Sequence, residues 1–450
     1  MKKLLSVLLA VLISSTAFAY GDSNRAEWRF SKNKEKKGVA QFIETGTYNA
    51  TVGIKSAKLS FRHKGKVVNG ELLNDKGYPT AIAAKGDYWL FEVPVTNLEA
   101  GTVVDIFLPI TSADKAEESF AFEYLDGKKW LPVVATQADG TNVTTTASLK
   151  HPRRLWHAVK LTKPIESGAI AFRLRRVAKQ SAVATIACPS PRGQQPQIVI
   201  YNNKVARDTV KMLFLGNSYT YYHTYPMIFK EIAWHEGHYA DCNIFISGGY
   251  TMKAHLANKY STEQVDKGGY DYVMLQDQSI QPTLNGTADD YGAAEQMTKM
   301  VNRVRASSPS ANVCLEITWG RKFGNNNFGK KYEHLIAKYP QFYADYDAMQ
   351  NRLIEVVTAE AEQNNAKITP VGYAWQIVMH ERPDINLYHT DNHHQSYAGS
   401  YLSAAVAYLT VYGEAFGPNP ANCKLKPSVA AYLRSVAERV VLKGEKWNQK

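Results

Sequence analysis

Cysteine is scarce in this 450-residue chain, and its spacing excludes the usual cysteine-based folds and sites. The four cysteines, Cys188, Cys242, Cys314 and Cys423, are too few and too scattered for a disulfide framework. No CxxC motif occurs, so a thiolate zinc site is not expected. Cys242 and Cys314 lie in apolar, strand-like segments, where buried free thiols are expected. Spacing alone leaves open whether Cys188 and Cys423 pair.

Long apolar runs are absent after the first twenty residues, so no later segment is expected to span a bilayer. The start, MKKLLSVLLAVLISSTAFA, has two lysines, an apolar run from Leu4 to Ile13 and small residues at Ala17 and Ala19. This is the layout of a cleaved secretory signal. We therefore expect residues 1–19 to be removed and the protein to be exported, as a periplasmic or secreted protein.

Acidic residues are outnumbered by basic ones. The chain has 41 Asp and Glu against 53 Lys and Arg, a formal net charge of +12. Excess positive charge in an exported protein suits anionic surroundings such as acidic polysaccharide, although an unspecific basic surface explains it equally well. No segment resembles a nucleic-acid-binding module, so no nucleic-acid partner is expected.

Hydrophobic periodicity divides the chain into two parts. From about residue 26 to 176, short alternating segments such as DYWLFEVPV and AIAFRLRR are separated by turn signals, with almost no helical window. This pattern predicts an all-β sandwich, jelly-roll-like, that could bind carbohydrate. Three prolines within residues 187–198 are typical of a stiff connector. We assign residues 20–186 to the β-sandwich, 187–207 to a linker and 208–450 to a second domain.

The second part alternates apolar strands with helix-length segments. The strands are KMLFLG, NIFIS, DYVMLQ, NVCLEITW and ITPVG, and the helices are expected near residues 224–237, 251–260, 287–306, 341–364 and 396–413. Such alternation predicts a parallel sheet covered by helices on both faces. In these α/β folds the ligand crevice lies beyond the carboxyl ends of the strands.

Polar residues and glycines follow the strands at those ends. Because the carboxyl ends of parallel strands meet at one edge, these residues are expected to lie close together. They are, in chain order, Gly216-Asn217-Ser218, Ser247-Gly248-Gly249, Gln276-Asp277-Gln278-Ser279, Thr318-Trp319-Gly320-Arg321 and the loop LYHTDNHHQSYAGSYLSAA from Leu387.

This set contains the groups that acyl transfer requires. A serine hydroxyl becomes a nucleophile when an imidazole takes its proton, and a carboxylate fixes the imidazole tautomer. Ser218, His394 and Asp391 can fill these roles without a cofactor or metal. The backbone N–H groups of Ser218 and Gly249 and the side-chain amide of Gln278 can stabilise the developing oxyanion.

These motifs resemble the SGNH or GDSL-like esterase superfamily over roughly residues 208–415. FLGNSYT is similar to the first motif, with Asn217 where the family has aspartate, and implies that Ser218 is the nucleophile. ISGGYT is similar to the second, with Gly249 as the oxyanion glycine and Gly248 as the fallback. DNHHQSYAG matches the DxxH motif, which gives Asp391 and His394. The resemblance implies a flavodoxin-like three-layer α/β/α fold.

The third motif departs from the family. Its Gly-x-Asn-Asp is replaced by Gln276-Asp277-Gln278-Ser279, and Gln278 falls at the asparagine position. Glutamine keeps the amide donor and adds a methylene. We therefore expect Gln278 to be an oxyanion donor, and the sequence leaves open whether its longer side chain places the amide where the family asparagine has it.

Simpler interpretations of the same residues remain. Ser218 could be only a helix N-cap, His394 a packing histidine and Asp391 a turn residue. A metal site built from His389, Asp391, His393 and His394 is an alternative, disfavoured because all four crowd into one loop without helical spacing. His393 is expected to point away from the catalytic group.

Aromatic and cationic residues near the rim are candidates for substrate binding. Tyr222, Trp319 and Arg321 follow predicted strands and could stack on a sugar or bind a carboxylate, or could equally be core or solvated residues. We expect an exported esterase acting on acylated, above all O-acetylated, poly- or oligosaccharide. The alternative is a glycan-binding surface protein with a degenerate hydrolase domain, which Gln278 and Asn217 leave open.

Overall fold

The structure is a computed structural model of the chain. It describes residues 24–29, 37–73, 78–82, 84–112, 118–133, 145–147, 153–177, 183–185, 196–201, 208–418 and 420–447. The predicted signal, residues 1–19, and Cys188 lie outside the described residues. Within the described residues, Cys242 and Cys314 are buried free thiols, as expected, and Cys423 is free.

The N-terminal part is built from short strands. They are β1 Arg25–Glu27, β2 Thr47–Asn49, β3 Val52–Gly53, β4 Lys58–His63, β5 Lys66–Val67, β6 Glu71–Leu73, β7 Tyr78–Ile82, β8 Tyr88–Leu98, β9 Val103–Ser112, β10 Glu118–Asp126, β11 Lys129–Pro132, β12 Thr145–Ala147, β13 Arg153–Lys160, β14 Ile165–Arg176, β15 Val183–Thr185 and β16 Gln197–Tyr201. The helix Lys37–Thr45 also occurs here, in a region where the sequence indicated almost no helix.

These strands form two sheets. One has the order β3-β1-β16-β9-β15-β7-β6 with β13 also on β9, and the other has the order β11-β10-β14-β8-β4-β2 with β12 on β10 and β5 on β4. The long pairs β8 with β14 and β9 with β13 are antiparallel. Alternate residues of both sheets, such as Ile106 and Ile198 from the first and Phe91 and Phe172 from the second, share one apolar core.

Strand β16 lies inside the stretch expected as a linker. Its five residues, QIVIY, are all buried, and they pair with β1 on one side and β9 on the other. The continuous apolar run forms a strand because both of its faces are covered. The N-terminal β-region therefore extends to Tyr201, beyond the boundary at 186 that the sequence suggested.

The C-terminal part contains one five-stranded sheet. Its strands are β17 Thr209–Gly216, β18 Tyr239–Ile246, β19 Tyr272–Leu275, β20 Asn312–Glu316 and β21 Lys367–Thr369. The order is β18-β17-β19-β20-β21, and every neighbouring pair is parallel. Strand β18 lies on one side of β17, and β19, β20 and β21 follow on the other side. The strand order therefore reverses at β17, and the crevice expected at such a switch point lies at the end of this strand.

Helices connect these strands. They are Ser218–Tyr221, Tyr225–His235, Met252–Ala257, Lys259–Asp266, Ala293–Ser307, Glu333–Lys338, Pro340–Tyr343, Tyr346–Gln363, Val371–Glu381, Tyr397–Tyr412 and Pro427–Lys443, with 3₁₀ turns at Tyr222–Thr224 and Gln281–Leu284. The five helical regions expected from the sequence are present, and the helices at 218–221, 333–338, 371–381 and 427–443 are additional.

Helices cover both faces of this sheet. Met212 and Phe214 of β17 pack with buried residues of 225–235, 371–381, 397–412 and 427–443. Leu213 and Leu215 point the other way and pack with 252–257, 259–266, 293–307 and 346–363. This alternation explains why the strands are apolar throughout. No helix among the described residues has the combined length and apolarity needed to cross a membrane.

Helix Tyr225–His235 joins the two parts of the molecule. Its Met227 and Trp234 pack against the outer face of β9 and β16. Its Lys230 lies 2.5 Å from the Asp105 carboxylate, and both side chains are buried. Glu231 pairs with Arg25. Since breaking one partner of a buried ion pair leaves an uncompensated charge, these pairs fix the orientation of the two parts.

Glu316, the last residue of β20, generates a prediction about stability. Its Oε2 accepts a hydrogen bond from the Tyr225 hydroxyl at 3.0 Å, and burial raises the pKa of Glu316 to about 8 although this bond lowers it. Because the folded pKa exceeds the unfolded one, Glu316 costs stability progressively as the pH rises from about 4.5 to 8. E316Q should therefore match the wild type at pH 5 and exceed it at pH 9 by on the order of 3 kcal/mol.

Urea unfolding of the two proteins at both pH values measures this difference. E362Q, at an exposed position in helix Tyr346–Gln363, is the control and should show no pH-dependent gain. An E316Q protein that is less stable than the wild type at pH 9 would contradict the assignment of a neutral Glu316 carboxyl.

Candidate active site

Ser218 lies at the sharp junction between β17 and the short helix Ser218–Tyr221. The N-cap of this helix is Asn217, whose Oδ1 accepts a hydrogen bond from the Tyr219 N–H at 3.1 Å. The Ser218 hydroxyl is therefore not used as the cap. Gly216 precedes the turn, and a Cβ there would lie 2.2 Å from Thr220 Oγ1, so only glycine fits.

Asn217 connects three strand-end loops through its backbone and side chain. Its N–H donates to Gln276 Oε1 at 3.0 Å, and its Nδ2 donates to the carbonyls of Tyr250 at 2.9 Å and Asp277 at 3.3 Å. An aspartate could not donate to these carbonyls. The asparagine that distinguishes this chain from the family motif therefore matches its surroundings.

Ser218, His394 and Asp391 form a continuous hydrogen-bonded chain. His394 Nε2 lies 2.8 Å from Ser218 Oγ, and His394 Nδ1 lies 2.7 Å from Asp391 Oδ2. The other carboxylate oxygen of Asp391 accepts the backbone N–H groups of His393 at 3.2 Å and His394 at 3.0 Å. The structure thus brings together the three residues that the sequence singled out for a proton-transfer chain.

Asp391 is ionised in this arrangement. Partial burial raises its pKa, but hydrogen bonds from the side chain and backbone of His394 and the charge of His393 hold the pKa of Asp391 well below its ordinary value. An ionised carboxylate beside Nδ1 keeps the proton on that nitrogen, which leaves Nε2 as the acceptor facing Ser218.

Tyr222 packs against the imidazole of His394 and does not face the pocket as a sugar platform. The two rings are stacked, with centroids 4.0 Å apart and planes 2° apart, and Tyr222 is fully buried. Tyr219 contacts the same imidazole edge-on at 5.6 Å. The expected substrate-binding role of Tyr222 is therefore wrong, because the helix that follows Ser218 turns this ring into the core.

Trp319 is also buried and cannot stack on a substrate. Its ring lies between Tyr219 and Trp375, with centroids 4.4 Å and 4.3 Å away and nearly parallel planes. Its Nε1 donates to the His393 carbonyl at 3.0 Å. The substrate role expected for Trp319 is wrong, and its contacts instead hold the loop that carries His394.

A cavity of about 270 Å³ opens in front of the Ser218 hydroxyl. It is lined by Asn217, Ser218, Tyr219, Tyr221, Gly248, Gly249, Gln278, Ser279, Arg321, His393 and His394. One of these residues, Arg321, has a permanent positive charge, and none is acidic. His393 belongs to the lining although the sequence suggested that it points away from the catalytic group.

The three expected oxyanion donors border this cavity. Gly249 has a φ of +71°, a conformation that favours glycine. Gln278 Oε1 accepts the N–H groups of Ile280 at 2.6 Å and Gln281 at 2.9 Å, at the start of the 3₁₀ turn. These bonds identify Oε1 and fix the amide, so Nε2 is the end that can donate elsewhere. Gly248, the fallback, also lines the cavity.

Asp277 is a residue whose role the sequence did not reveal. Its Oδ1 accepts the N–H groups of Met252 at 3.0 Å and Gln278 at 2.7 Å, and so connects the loops of Gly249 and Gln278. Burial raises the pKa of Asp277 to about 6 although these bonds lower it. The sequence feature that could have indicated this role is the position of Asp277 between two glutamines, directly after a buried strand.

The described residues contain one group that could hold a metal ion. Ligand atoms of Asp391, His393 and His394 lie within 4.8 Å of one another. His389 Nδ1 is 3.8 Å from Asp391 Oδ2. Both ring nitrogens of His394 are already engaged by Ser218 and Asp391, so coordination there would require breaking one of these bonds.

No protein-family model matches the chain, and no curated protein matches it. Among solved structures, a DUF4886 family protein from Bacteroides uniformis is 17% identical, with a TM-score of 0.43, over 54% of this chain and 98% of that one. A family two carbohydrate esterase from Clostridium thermocellum, in complex with cellohexaose, is 15% identical, with a TM-score of 0.31, over 75% and 95%.

A protein from Parabacteroides merdae described as a GDSL-like lipase is 12% identical, with a TM-score of 0.35, over 47% of this chain and 99% of that one. A GDSL-like lipase and a carbohydrate esterase are thus among the structural matches. At these identities and TM-scores, residue roles are inferred from the geometry of the site.

Asn217 generates a prediction. In N217D a carboxylate oxygen would face two backbone carbonyls that now accept hydrogen bonds, in a buried position. We expect N217D to lose about 1–3 kcal/mol of unfolding free energy, measured by urea denaturation at pH 7.

N258D is the matched control. Asn258 is also an N-cap, accepting from the Ser261 N–H, but its Nδ2 donates to the Tyr250 hydroxyl, which can rotate and donate instead. N258D should be close to the wild type in stability. Equal stability of N217D and the wild type would show that the donor role of Asn217 is unimportant.

Proposed function

We propose that the protein is an exported serine esterase that removes O-acetyl groups from glycans through a Ser-His-Asp triad and an acyl-enzyme intermediate. The proposed architecture is a jelly-roll-like β-sandwich extending to Tyr201, followed by a flavodoxin-like SGNH hydrolase domain from residue 208. The observation that carries the proposal is the 2.8 Å contact between Ser218 Oγ and His394 Nε2, with Asp391 behind the ring.

In the first step, His394 Nε2 takes the Ser218 proton while Oγ attacks the ester carbonyl. The imidazolium that forms is stabilised by the ionised Asp391 carboxylate at 2.7 Å. His394 then gives the proton to the leaving sugar hydroxyl, and the acetyl group remains on Ser218. In the second step His394 takes a proton from water as the water oxygen attacks the acyl carbon. His394 then gives this proton to Ser218 Oγ as the bond between Oγ and the acyl carbon breaks, which releases acetic acid and restores the Ser218 hydroxyl.

The negative charge on the carbonyl oxygen requires donors in both steps. We assign them to the backbone N–H groups of Ser218 and Gly249 and to Gln278 Nε2. Asp277 helps to position Gly249 and Gln278. Its carboxyl accepts the N–H group of Met252, in the loop of Gly249, and the N–H group of Gln278 itself. Preorganised donors of this kind stabilise the charged intermediate without reorganisation.

The lining of the cavity supports a polar substrate. Asn217, Ser218, Gln278, Ser279 and Arg321 contribute polar side chains, and apolar aliphatic residues are absent from the described lining. A cavity of about 270 Å³ suits a short acyl group better than a long chain. These features favour an acetylated saccharide over a lipid as the substrate. The fold alone does not distinguish between these two substrate classes.

A first prediction concerns the nucleophile. The purified protein should release nitrophenol from 4-nitrophenyl acetate, and S218A should lower kcat by at least ~10³-fold because it removes the hydroxyl that is bonded to His394 Nε2. A fluorophosphonate should modify Ser218, and peptide mass spectrometry should find Ser279 in the same pocket unmodified.

A chelator distinguishes this mechanism from metal-dependent hydrolysis at Asp391, His393 and His394. Activity that survives EDTA and is lost with the fluorophosphonate supports the triad. Loss with EDTA and survival with the fluorophosphonate would overturn it. If wild type and S218A are equally inert on this ester and on acetylated glycans, the non-catalytic glycan-binding alternative replaces the esterase.

A second prediction concerns Gln278. Q278E keeps an oxygen that accepts the Ile280 and Gln281 N–H groups but replaces the Nε2 donor with a second oxygen. We expect kcat to fall about 10²–10³-fold with a smaller change in KM, because the lost interaction forms mainly in the transition state. Steady-state kinetics measure this, with thermal unfolding as the control for folding. An unchanged kcat would remove Gln278 from the oxyanion hole.

A further inference from the structure

Arg321 is a buried cation that forms no direct ion pair with any of the described residues. Its side chain is 4% exposed, and neither Nε nor Nη1 has a hydrogen-bond partner among the described residues. None of the ion pairs formed by the described residues includes it. The ring of Phe328 lies against it, with its centroid 5.1 Å from the guanidinium carbon. Arg321 nevertheless lines the cavity in front of Ser218.

The backbone that carries Arg321 is fixed on both sides. The Gly320 N–H donates to Gln350 Oε1 at 2.9 Å, and the Gly320 carbonyl accepts from the Tyr388 hydroxyl at 2.7 Å. On the other side, the Lys322 N–H donates to the Asn392 carbonyl at 3.1 Å, within the loop that carries Asp391 and His394. The backbone of Arg321 is therefore held beside the loop that carries Asp391 and His394.

Burial of an unpaired guanidinium is unfavourable. Desolvation lowers the pKa of Arg321, partly offset by Tyr219 and by the Asp391 charge, but an arginine stays protonated in proteins. Such a charge is normally compensated by an acid or by hydrogen-bond acceptors. Asp391 offsets this charge only in part, and no acidic residue is among the described residues that line the cavity, so an anionic group of a bound ligand can supply the missing compensation.

We propose that Arg321 forms an anion subsite and that the ester cleaved at Ser218 belongs to a saccharide carrying a carboxylate, such as an O-acetylated uronic acid. The planar guanidinium can bind a carboxylate through two parallel hydrogen bonds, and one positive charge balances one negative charge. The proposal depends on the esterase function proposed above. It adds a substrate class to that function.

Two synthetic substrates test the subsite. One is the methyl glycoside of mono-O-acetylated glucuronate, and the other is the matching O-acetylated glucoside, in which CH₂OH replaces the carboxylate. Acetate release by the full chain gives kcat/KM for each. The wild type should prefer the glucuronate by about tenfold to a hundredfold, the range expected of a charge-assisted contact.

R321Q should reduce this preference to about one, because glutamine keeps polarity and removes the charge. K322Q is the matched control, since it removes a cation from the neighbouring position in the same loop, and it should retain the wild-type preference. The methyl ester of the glucuronate substrate, which has nearly the same shape without the charge, should behave like the glucoside.

Equal kcat/KM values of the wild type for the two substrates would overturn the proposal, as would an R321Q protein that keeps the full preference. If R321Q does not fold, competition with the wild type decides. Free glucuronate should inhibit hydrolysis of 4-nitrophenyl acetate at concentrations at which glucose does not, and equal inhibition contradicts the subsite.

Failure of the esterase function is recognised separately. In that case the wild type and S218A hydrolyse neither substrate. Calorimetric titration with free glucuronate then tests the subsite without catalysis. Binding by the wild type and K322Q, with loss in R321Q, supports the anion subsite in a non-catalytic protein, and absence of binding overturns it.

Discussion

The imidazole of His394 connects the chain segments on which the proposed chemistry depends. It bonds Ser218 through Nε2 and Asp391 through Nδ1, at 2.8 and 2.7 Å. Its face is covered by Tyr222 at 4.0 Å. A ring bonded at both nitrogens and stacked on a buried aromatic has little freedom to leave this geometry, which is what proton transfer between fixed groups needs.

The surrounding structure supports this imidazole from several directions. The parallel sheet brings the ends of β17 and β19 to one edge, and Asn217, Gln276 and Asp277 connect their loops through buried hydrogen bonds. The stacked rings of Tyr219, Trp319 and Trp375 continue into the core, and Trp319 Nε1 holds the His393 carbonyl. Polar groups in such networks are costly when unpaired, so their pairing specifies one arrangement of the loops. Arg321 differs from these paired groups, because its buried Nε and Nη1 have no hydrogen-bond partner among the described residues. This difference is the basis for proposing that Arg321 binds a ligand.

Much of the fold and of the site was predictable from the sequence. The apolar strands followed by polar residues predicted the parallel sheet and its functional edge, since that periodicity is local. Asp391 and His394 lie in one loop, so their contact was predictable from their spacing in the sequence. The contact of Ser218 with His394 also depends on the order of the strands, because Ser218 follows a different strand. Strand β16 was missed because its partners β1 and β9 lie far away along the chain. Tyr222 and Trp319 were assigned to substrate because a rim aromatic and a buried one look alike in sequence, and only packing distinguishes them.

The central claim is that Ser218 carries the acyl group during turnover. The most direct measurement is rapid acid quenching of the protein during hydrolysis of an acetyl ester, followed by mass spectrometry of the peptide that contains Ser218. The account predicts one acetyl group on this peptide, on the Ser218 oxygen, and none on it in H394A, in which no base activates the hydroxyl. Turnover without any acetylated Ser218 peptide would contradict the account.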